Sequence, residues 1–288
     1  MEARSLDVTA RTGLVAVLGH PVTHSLSPRM HNAAFRAHNI DMVYLAFDVY
    51  PDRLRQAVEG LRAFGMRGAN VTLPHKEEVV PLLDVVDPRA ARLGAVNTIV
   101  NDQGSLVGYN TDVAGFLAAL RTIRAEGARD LRCLVVGAGG AARAVVAALS
   151  EDRAAEILIH NRTQERSVSL RESARLWGES RCEVVAAADL RAVARGADLV
   201  VNATSVGLPP SVKESAVPVD ILDSHHLVMD VVYSPHSTTL VATAAARGAI
   251  ALDGREMLVM QAADSYRLWT GLEPPVEAMR ESLDRHER

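Results

Sequence analysis

Short runs of Val, Leu and Ile alternate along this chain with longer Ala-, Arg- and Leu-rich stretches of helical period, the rhythm of strands and crossover helices in a parallel sheet. The apolar runs predict strands over 15–18, 43–48, 68–72, 95–100, 131–136, 156–160, 184–185, 199–202, 227–231 and 249–252. The stretches between them predict helices over 28–38, 51–64, 111–125, 141–149, 164–177, 189–195, 238–247 and 256–270. No internal repeat, low-complexity tract or long linker interrupts this alternation. A domain boundary must therefore fall inside compact structure, and the helix after Asp112 is the natural place for it. The terminal stretch 280–288, rich in both signs of charge, reads as a solvated helix end or a frayed tail.

Composition narrows the class. Of the 288 residues 48% are hydrophobic and only 4% aromatic, which suits helix-covered parallel sheets better than all-β sandwiches and excludes intrinsic disorder. The 31 basic against 35 acidic residues leave a formal charge of −4, so nothing advertises nucleic acid. The N-terminal residues hold no signal-peptide core, and no run of apolar residues is long enough to span a membrane. Two cysteines, Cys133 and Cys182, sit in neither a disulfide framework nor a metal-ligand spacing, consistent with a cytoplasmic protein. The histidines His20, His24, His31, His225 and His226 invite a metal reading, but no carboxylate-backed ligand set accompanies them, and no metal is expected.

The clearest chemistry lies in the second half. The apolar run 131–136 leads into Gly137-Ala138-Gly139-Gly140-Ala141-Ala142, a G-x-G-x-x-A pattern that opens an Ala-rich helix. Gly137 permits a tight turn, Gly139 lets backbone approach a pyrophosphate, and the helix start supplies unpaired N–H groups. About twenty residues on, an NAD enzyme needs a carboxylate to receive the adenosine ribose hydroxyls. The chain instead reads His160-Asn161-Arg162-Thr163 with Arg166 one turn later. Arg162 and Arg166 can pair with a 2′-phosphate that a carboxylate would repel, so NADP is expected over NAD. The plain alternative is a solvated helix start.

In the first half, polar residues stand where strands end. Ser25-Leu26-Ser27-Pro28 precedes a predicted helix, and Ser27 taken alone reads as its N-cap. Asn70 and Thr72 share one face of an extended segment, Lys76 follows a proline turn, and Asn97-Thr98 and Asn110-Thr111-Asp112 come after further apolar runs. Such groups suit a polyol ligand, although a single lysine is ordinarily a solvated charge.

These stretches form nine blocks in order: GHPVTHSLSP followed by His31-Asn32, GANVTLPHK, GAVNT, GYNTDVAGF, VVGAGGAARA, HNRT with Arg166, VNATSVGL, DVVYSP, and GREMLVMQA followed by WTG. In them the chain resembles the shikimate dehydrogenase family over nearly its whole length. The resemblance implies an α/β protein with an N-terminal substrate domain (1–112) completed by C-terminal helices (255–288), a Rossmann NADP-binding domain (113–254) and a ligand cleft at their junction. It implies NADP-dependent, reversible reduction of 3-dehydroshikimate to shikimate on the route to aromatic amino acids. Carried over by motif position, Lys76 and Asp112 are the catalytic pair, and Ser25 and Ser27 bind the substrate carboxylate with Tyr233 nearby. Asn70, Thr72, Asn97, Asp112 and Gln261 hold ring hydroxyls.

On the cofactor side the resemblance adds Thr204, Ser205, Val231, Gly254 and Met257 to Gly137, Ala138, Gly139, Gly140, Ala141, Asn161, Arg162, Thr163 and Arg166. Plain turn chemistry is the alternative for Thr204 and Ser205, and core packing for Met257. Val231 stands where some relatives carry Met, and Tyr266 where Phe is common. Trp177 and Trp269 read as packing residues. The expected partner is a small-molecule substrate, with no nucleic acid and no membrane, and a homodimer is left open. Alternative functions are a quinate/shikimate or aminoshikimate dehydrogenase and a non-catalytic NADP-binding sensor.

Overall fold

The computed structural model describes residues 8–233 and 237–284. Their contacts divide the chain into unit 1, Met1–Thr111 with Gln261–Arg288, and unit 2, Asp112–Met260. Unit 1 begins with β1 (Gly13–Gly19), α1 (Ser27–Ala37), β2 (Met42–Asp48), α2 (Leu54–Ala63) and β3 (Gly68–Val71). It continues through β4 (Val85–Val86), α3 (Pro88–Leu93), β5 (Thr98–Asp102) and β6 (Ser105–Tyr109). The sheet order is β2-β1-β3-β5-β6-β4. The first three strands are parallel, as the βαβ rhythm predicts, but β3 pairs β5 and β5 pairs β6 antiparallel. This sheet is therefore mixed.

The antiparallel turn follows from Gln103 and Gly104, whose φ values of 52° and 98° make a two-residue hairpin of the kind that matches strand twist. β6 is not among the expected strands, because Ser105–Tyr109 carries only two strongly apolar residues, Leu106 and Val107. The short elements β4 and α3 are likewise absent from the sequence reading; α3 starts at Pro88 and is capped by Asp87, whose carboxylate accepts from the Arg89 and Ala90 N–H groups. Ala16, Leu18, Ala69 and Ile99 are buried with the apolar face of α2, including Val58 and Leu61, while Val15 and Val17 are buried on the other face of β1.

Unit 2 runs through α4 (Asp112–Ile123), β7 (Arg132–Val136), α5 (Gly140–Glu151), β8 (Glu156–His160), α6 (Gln164–Ala174) and β9 (Arg181–Val184). Then come α7 (Leu190–Arg195), β10 (Leu199–Asn202), β11 (Leu227–Asp230), α8 (Thr239–Ala246), β12 (Ile250–Leu252) and α9 (Gly254–Thr270). Its strands lie in the order β9-β8-β7-β10-β11-β12, and every adjacent pair is parallel. That order is the doubly wound dinucleotide-binding arrangement, whose direction reverses between β7 and β10. The central strands read as continuous apolar runs because both faces are covered: all of β10, and β7 from Cys133 onward, are buried.

The second division between the units falls inside α9, rather than at its start as the sequence suggests. The first residue of α9 packs in unit 2, where a Cβ on Gly254 would lie 2.4 Å from the Val231 carbonyl oxygen. Later turns bond to unit 1, where the Trp269 indole N–H donates to the Ile99 carbonyl at 2.9 Å. Tyr266, to which the sequence gives no role, is fully buried, and its hydroxyl hydrogen-bonds His38 Nδ1 at 2.8 Å. The last helix, α10 (Val276–Asp284), packs on α1 and buries Met279 and Leu283. Residues 280–284 are thus helix with a buried face rather than a frayed tail, and 285–288 lie outside the described residues. Among the described residues no helix is long and apolar enough to cross a membrane.

His31 is held in the unit 1 core, flat against Tyr44 with ring centroids 4.5 Å apart and Trp269 5.2 Å away. Neither ring nitrogen has a hydrogen-bond partner among the described residues, and burial lowers its pKa from 6.5 to about 3. A neutral histidine of this kind stabilises the fold above its unfolded pKa, and that contribution is lost as pH falls toward 3. Between about pH 7.5 and about pH 4.5 the His31→Phe protein should lose roughly 2 to 3 kcal/mol less unfolding free energy than wild type. Denaturant titrations at the two pH values measure this, and parallel losses would show that His31 does not carry the acid sensitivity.

Candidate functional site

The register of the unit 1 sheet brings its polar residues to one end. β3 runs toward Asn70 and Thr72, and because β5 is antiparallel its first residue, Thr98, lies opposite Asn70. β6 arrives at the same end with Tyr109 opposite Thr98, so Asn110, Thr111 and Asp112 follow directly. The third contribution is α9, where Gln261 and Ser265 are one helical turn apart and face these strands.

The result is a buried hydrogen-bond network. The Tyr44 hydroxyl donates to Asn70 Oδ1 at 2.7 Å, while Asn70 Nδ2 donates to the Asn97 carbonyl, Thr98 Oγ1 and Ser265 Oγ at 3.0 to 3.1 Å. Asn97 Oδ1 accepts from the Thr111 N–H at 2.8 Å and from Thr98 Oγ1 at 3.0 Å. Because that N–H can only donate, the Asn97 amide has one orientation: Nδ2 points to Thr111 Oγ1 at 2.9 Å and to Gln261 Oε1 at 3.4 Å. A donor and an acceptor presented side by side across a long hydrogen bond match a ligand hydroxyl, which can accept from one and donate to the other.

Of the expected hydroxyl-binding residues, Asn70, Asn97 and Gln261 are thus brought together. Asn70 differs from expectation in being consumed by protein partners, with 6% of its surface exposed. Thr72 is half-buried just beyond β3, its N–H bonded to the Leu18 carbonyl. Lys76 is half-buried and fixed by its carbonyl, which accepts from the Val96 N–H at 2.8 Å next to Asn97. Asp112 is buried, 5% exposed, as the first residue of α4.

Ser27 does not cap α1, contrary to the sequence reading: the helix starts at Ser27 with Leu26 as N-cap and no side-chain cap. Ser25 Oγ instead accepts from the Ser27 N–H at 3.3 Å, which places both hydroxyl-bearing residues at the positive end of the α1 dipole, a setting suited to a carboxylate.

In unit 2 the glycine turn stands at the reversal point between β7 and β10. Gly137 has φ of 127°, and a Cβ there would lie 2.6 Å from the Ala203 carbonyl oxygen, so only glycine fits. Gly139 is different: its backbone is extended, and a Cβ would meet no protein atom within 4 Å. Nothing in the protein requires a glycine there, whereas a pyrophosphate lying on the turn would. Gly140 and Ala141 open α5, with Ala142 buried beneath them and Ala138 half-buried in the turn. Asn161 Nδ2 closes its turn on the Thr163 carbonyl at 2.9 Å. Arg162, Thr163 and Arg166 are exposed where α6 begins. This is the donor set a dinucleotide with an added phosphate needs.

The segment after β10 is ordered from within. Thr204 donates through both its N–H and Oγ1 to Asn202 Oδ1, at 3.0 and 2.7 Å, and Oγ1 accepts from the Val206 N–H. Its side chain is turn chemistry, while Ser205 is exposed. Asn202 is anchored in turn by Asp230, one strand over in register, whose carboxylate accepts from Asn202 Nδ2, the Val232 N–H and Thr238 Oγ1. Burial nevertheless raises the Asp230 pKa to about 6. Asp230 lies within the DVVYSP block but has no role in the sequence reading; its signal is its position as the last strand residue, level with Asn202.

Val231 is half-buried and packs its carbonyl on Gly254, Met257 is buried at 8% exposure, and burial raises the Tyr233 phenol above its ordinary range. Among the described residues the one group with metal-like clustering is Asp223, His225 and His226. His226 has both nitrogens committed, Nε2 to the Ala194 carbonyl and Nδ1 to the Asp223 N–H, so it has no lone pair to give.

Known protein families match three successive stretches of the chain. Residues 17–99 match the shikimate dehydrogenase substrate binding domain, 119–233 match shikimate / quinate 5-dehydrogenase, and 254–283 match the shikimate 5'-dehydrogenase C-terminal domain. The chain is 49% identical to the shikimate dehydrogenase (NADP(+)) of Moorella thermoacetica, covering 95% of this chain and 93% of that protein. The structure of shikimate 5-dehydrogenase from Thermus thermophilus in complex with NADP(H) and shikimate is 39% identical, with a TM-score of 0.85 over 95% of this chain and 99% of that one. A quinate dehydrogenase from Corynebacterium glutamicum in complex with NAD is 35% identical, with a TM-score of 0.88 over the same shares of the two chains.

Proposed function

The chain belongs to the shikimate dehydrogenase family, and from that premise we propose that it catalyses the reversible, NADP-dependent reduction of 3-dehydroshikimate to shikimate on the route to aromatic amino acids. The observation that carries this reading is the oriented amide pair of Asn97 and Gln261 at the polar end of the unit 1 sheet, which complements a ring hydroxyl. Unit 1 is the substrate domain. Ser25 and Ser27 receive the substrate carboxylate at the start of α1, with Tyr233 as a further carboxylate ligand. Asn97, Gln261 and Thr72 hold ring hydroxyls.

Reduction of a ketone builds negative charge on its oxygen, so an ammonium at that atom lowers the barrier and supplies the proton. Lys76 Nζ is that donor, and in the oxidative direction the neutral amine takes the hydroxyl proton back. Asp112 is the second member of the catalytic pair, orienting the reacting hydroxyl as a carboxylate acceptor. Unit 2 binds NADP, its nicotinamide supplying the hydride when bound. Gly137 to Ala141 receive the pyrophosphate, and Arg162 and Arg166, with Asn161 and Thr163, receive the 2′-phosphate. Ser205, Val231, Gly254 and Met257 belong to the nicotinamide side, while Thr204 acts there by shaping the turn.

The same reading places the enzyme in the cytoplasm, and a homodimer would use the open edge of β2, where Leu45 and Phe47 are exposed. The test is direct: the purified protein should form NADPH from NADP and shikimate, and shikimate from NADPH and 3-dehydroshikimate. Binding of NADP without turnover of shikimate would favour the sensor alternative instead.

A further inference from the structure

Asn97 Oδ1, whose place is set by the Thr111 N–H, also accepts from a buried hydroxyl network that leads back to α9. Thr98 has one hydroxyl hydrogen, and it goes to Asn97 Oδ1 at 3.0 Å. With that hydrogen on Asn97, Thr98 Oγ1 accepts from Ser265 Oγ, 2.8 Å away, though either hydroxyl can be the donor of that bond. Ser265 Oγ in turn accepts from Asn70 Nδ2 at 3.0 Å, and Asn70 is locked from its other side by the Tyr44 hydroxyl. Ser265 and Thr98 are both fully buried, so no water replaces these bonds. The relay links Tyr44 through Asn70, Ser265 and Thr98 to Asn97.

Ser265 also lies one helical turn beyond Gln261, and its single hydroxyl hydrogen can go to the Gln261 carbonyl at 3.1 Å or to Thr98 Oγ1 at 2.8 Å, but not to both at once. It therefore touches both arms of the proposed hydroxyl-binding pair: the backbone of Gln261 directly, and the Asn97 amide through Thr98. We propose that Ser265 is a positioning residue for substrate recognition, setting the direction of the Asn97 donor and the Gln261 acceptor toward one ring hydroxyl without itself contacting the substrate. This rests on the assignment of Asn97 and Gln261 as hydroxyl ligands. Asn70 then serves the same relay rather than binding substrate, because its carbonyl oxygen and both amide hydrogens are already used inside the protein.

The relay predicts a specific kinetic signature. In Ser265→Ala, Asn70 loses an acceptor and Thr98 loses the donor that fixes its rotor, so the amide pair is less well held in both ground state and transition state. The KM for shikimate should rise ~3- to 10-fold, the effect of one buried hydrogen bond, with kcat little changed. The deciding readout uses deoxy analogues of shikimate, each lacking one ring hydroxyl other than the one oxidised. For the analogue without the hydroxyl that Asn97 and Gln261 receive, Ser265→Ala should leave KM unchanged, because the pair it positions has nothing to bind.

Tyr44→Phe, which unlocks Asn70 from the opposite side, should give the same pattern, and the double variant should add little to either single one. KM ratios do not depend on the folded fraction, so a drop in Tm does not obscure them. Equal KM increases for shikimate and every analogue, or no increase for any, would overturn the positioning role. A wild-type protein that fails to oxidise shikimate would overturn the function beneath it, which the first assay separates from failure of the relay.

Discussion

Replacing Lys76 by Met is expected to lower kcat by at least ~10²-fold while shikimate binding stays within about tenfold, the pattern left when an interaction made mainly in the transition state is removed. Methionine keeps the length of the side chain and removes only the charge and the proton. The backbone around Lys76 is fixed by the Val96 N–H and by the turn that His75 closes on the Thr72 carbonyl, so the substitution should not move its neighbours. Steady-state kinetics with a parallel shikimate binding titration check both halves. A variant that turns over at the wild-type rate would remove Lys76 from the chemistry, and one that loses binding in proportion to rate would make it a ground-state ligand instead.

Replacing Arg162 by Ala is expected to raise the KM for NADP ~10- to 100-fold and to leave the KM for NAD nearly unchanged, because the lost charge-assisted contacts are to the 2′-phosphate alone. Arg162 is exposed at the start of α6, so ions reach it, and the preference for NADP should weaken as salt is added. An Asp at position 161 in the same background should then improve NAD, by restoring an acceptor for the ribose hydroxyls. The cost of that change is the bond from Asn161 Nδ2 to the Thr163 carbonyl, which a carboxylate cannot donate. If Arg162→Ala raises both KM values equally, the residue supports the turn and not the choice of cofactor.

Much of this was legible in the sequence for reasons that can be named. The central strands of unit 2 are buried on both faces, so they read as apolar runs, and the expected and observed bounds coincide at Glu156–His160 and Leu199–Asn202; the edge strand β9, which carries Arg181 and Glu183 and has no fully buried residue, is expected only over 184–185. Gly137 and Gly139 sit in a strand-turn-helix context that fixes their roles. β6 and the antiparallel half of the unit 1 sheet are harder, because Ser105–Tyr109 is too polar to stand out and its pairing depends on a hairpin signalled only by Gln103-Gly104.

The site divides in the same way. Residues inside recognisable blocks, such as Asn97, can be named from one stretch of chain. Which of them face a ligand and which face each other depends on pairing across strands and onto α9. Asn70 and Thr204 look like ligand residues in sequence, and their hydrogen bonds go to the protein. Ser265 carries no motif, yet its spacing of four from both Gln261 and Trp269 puts all three on one helical stripe, a signal that periodicity alone offers.

On the proposed function, Ser25 and Ser27 at the carboxylate end of the substrate and the Arg162 turn together select shikimate and NADP. The most direct measurement is kcat/KM for the four pairings of shikimate or quinate with NADP or NAD on the wild-type protein. Shikimate with NADP should be the best pairing, exchanging NADP for NAD should cost at least ~10-fold, and quinate should be slower with either cofactor. A protein that works best with quinate and NAD would contradict that selection.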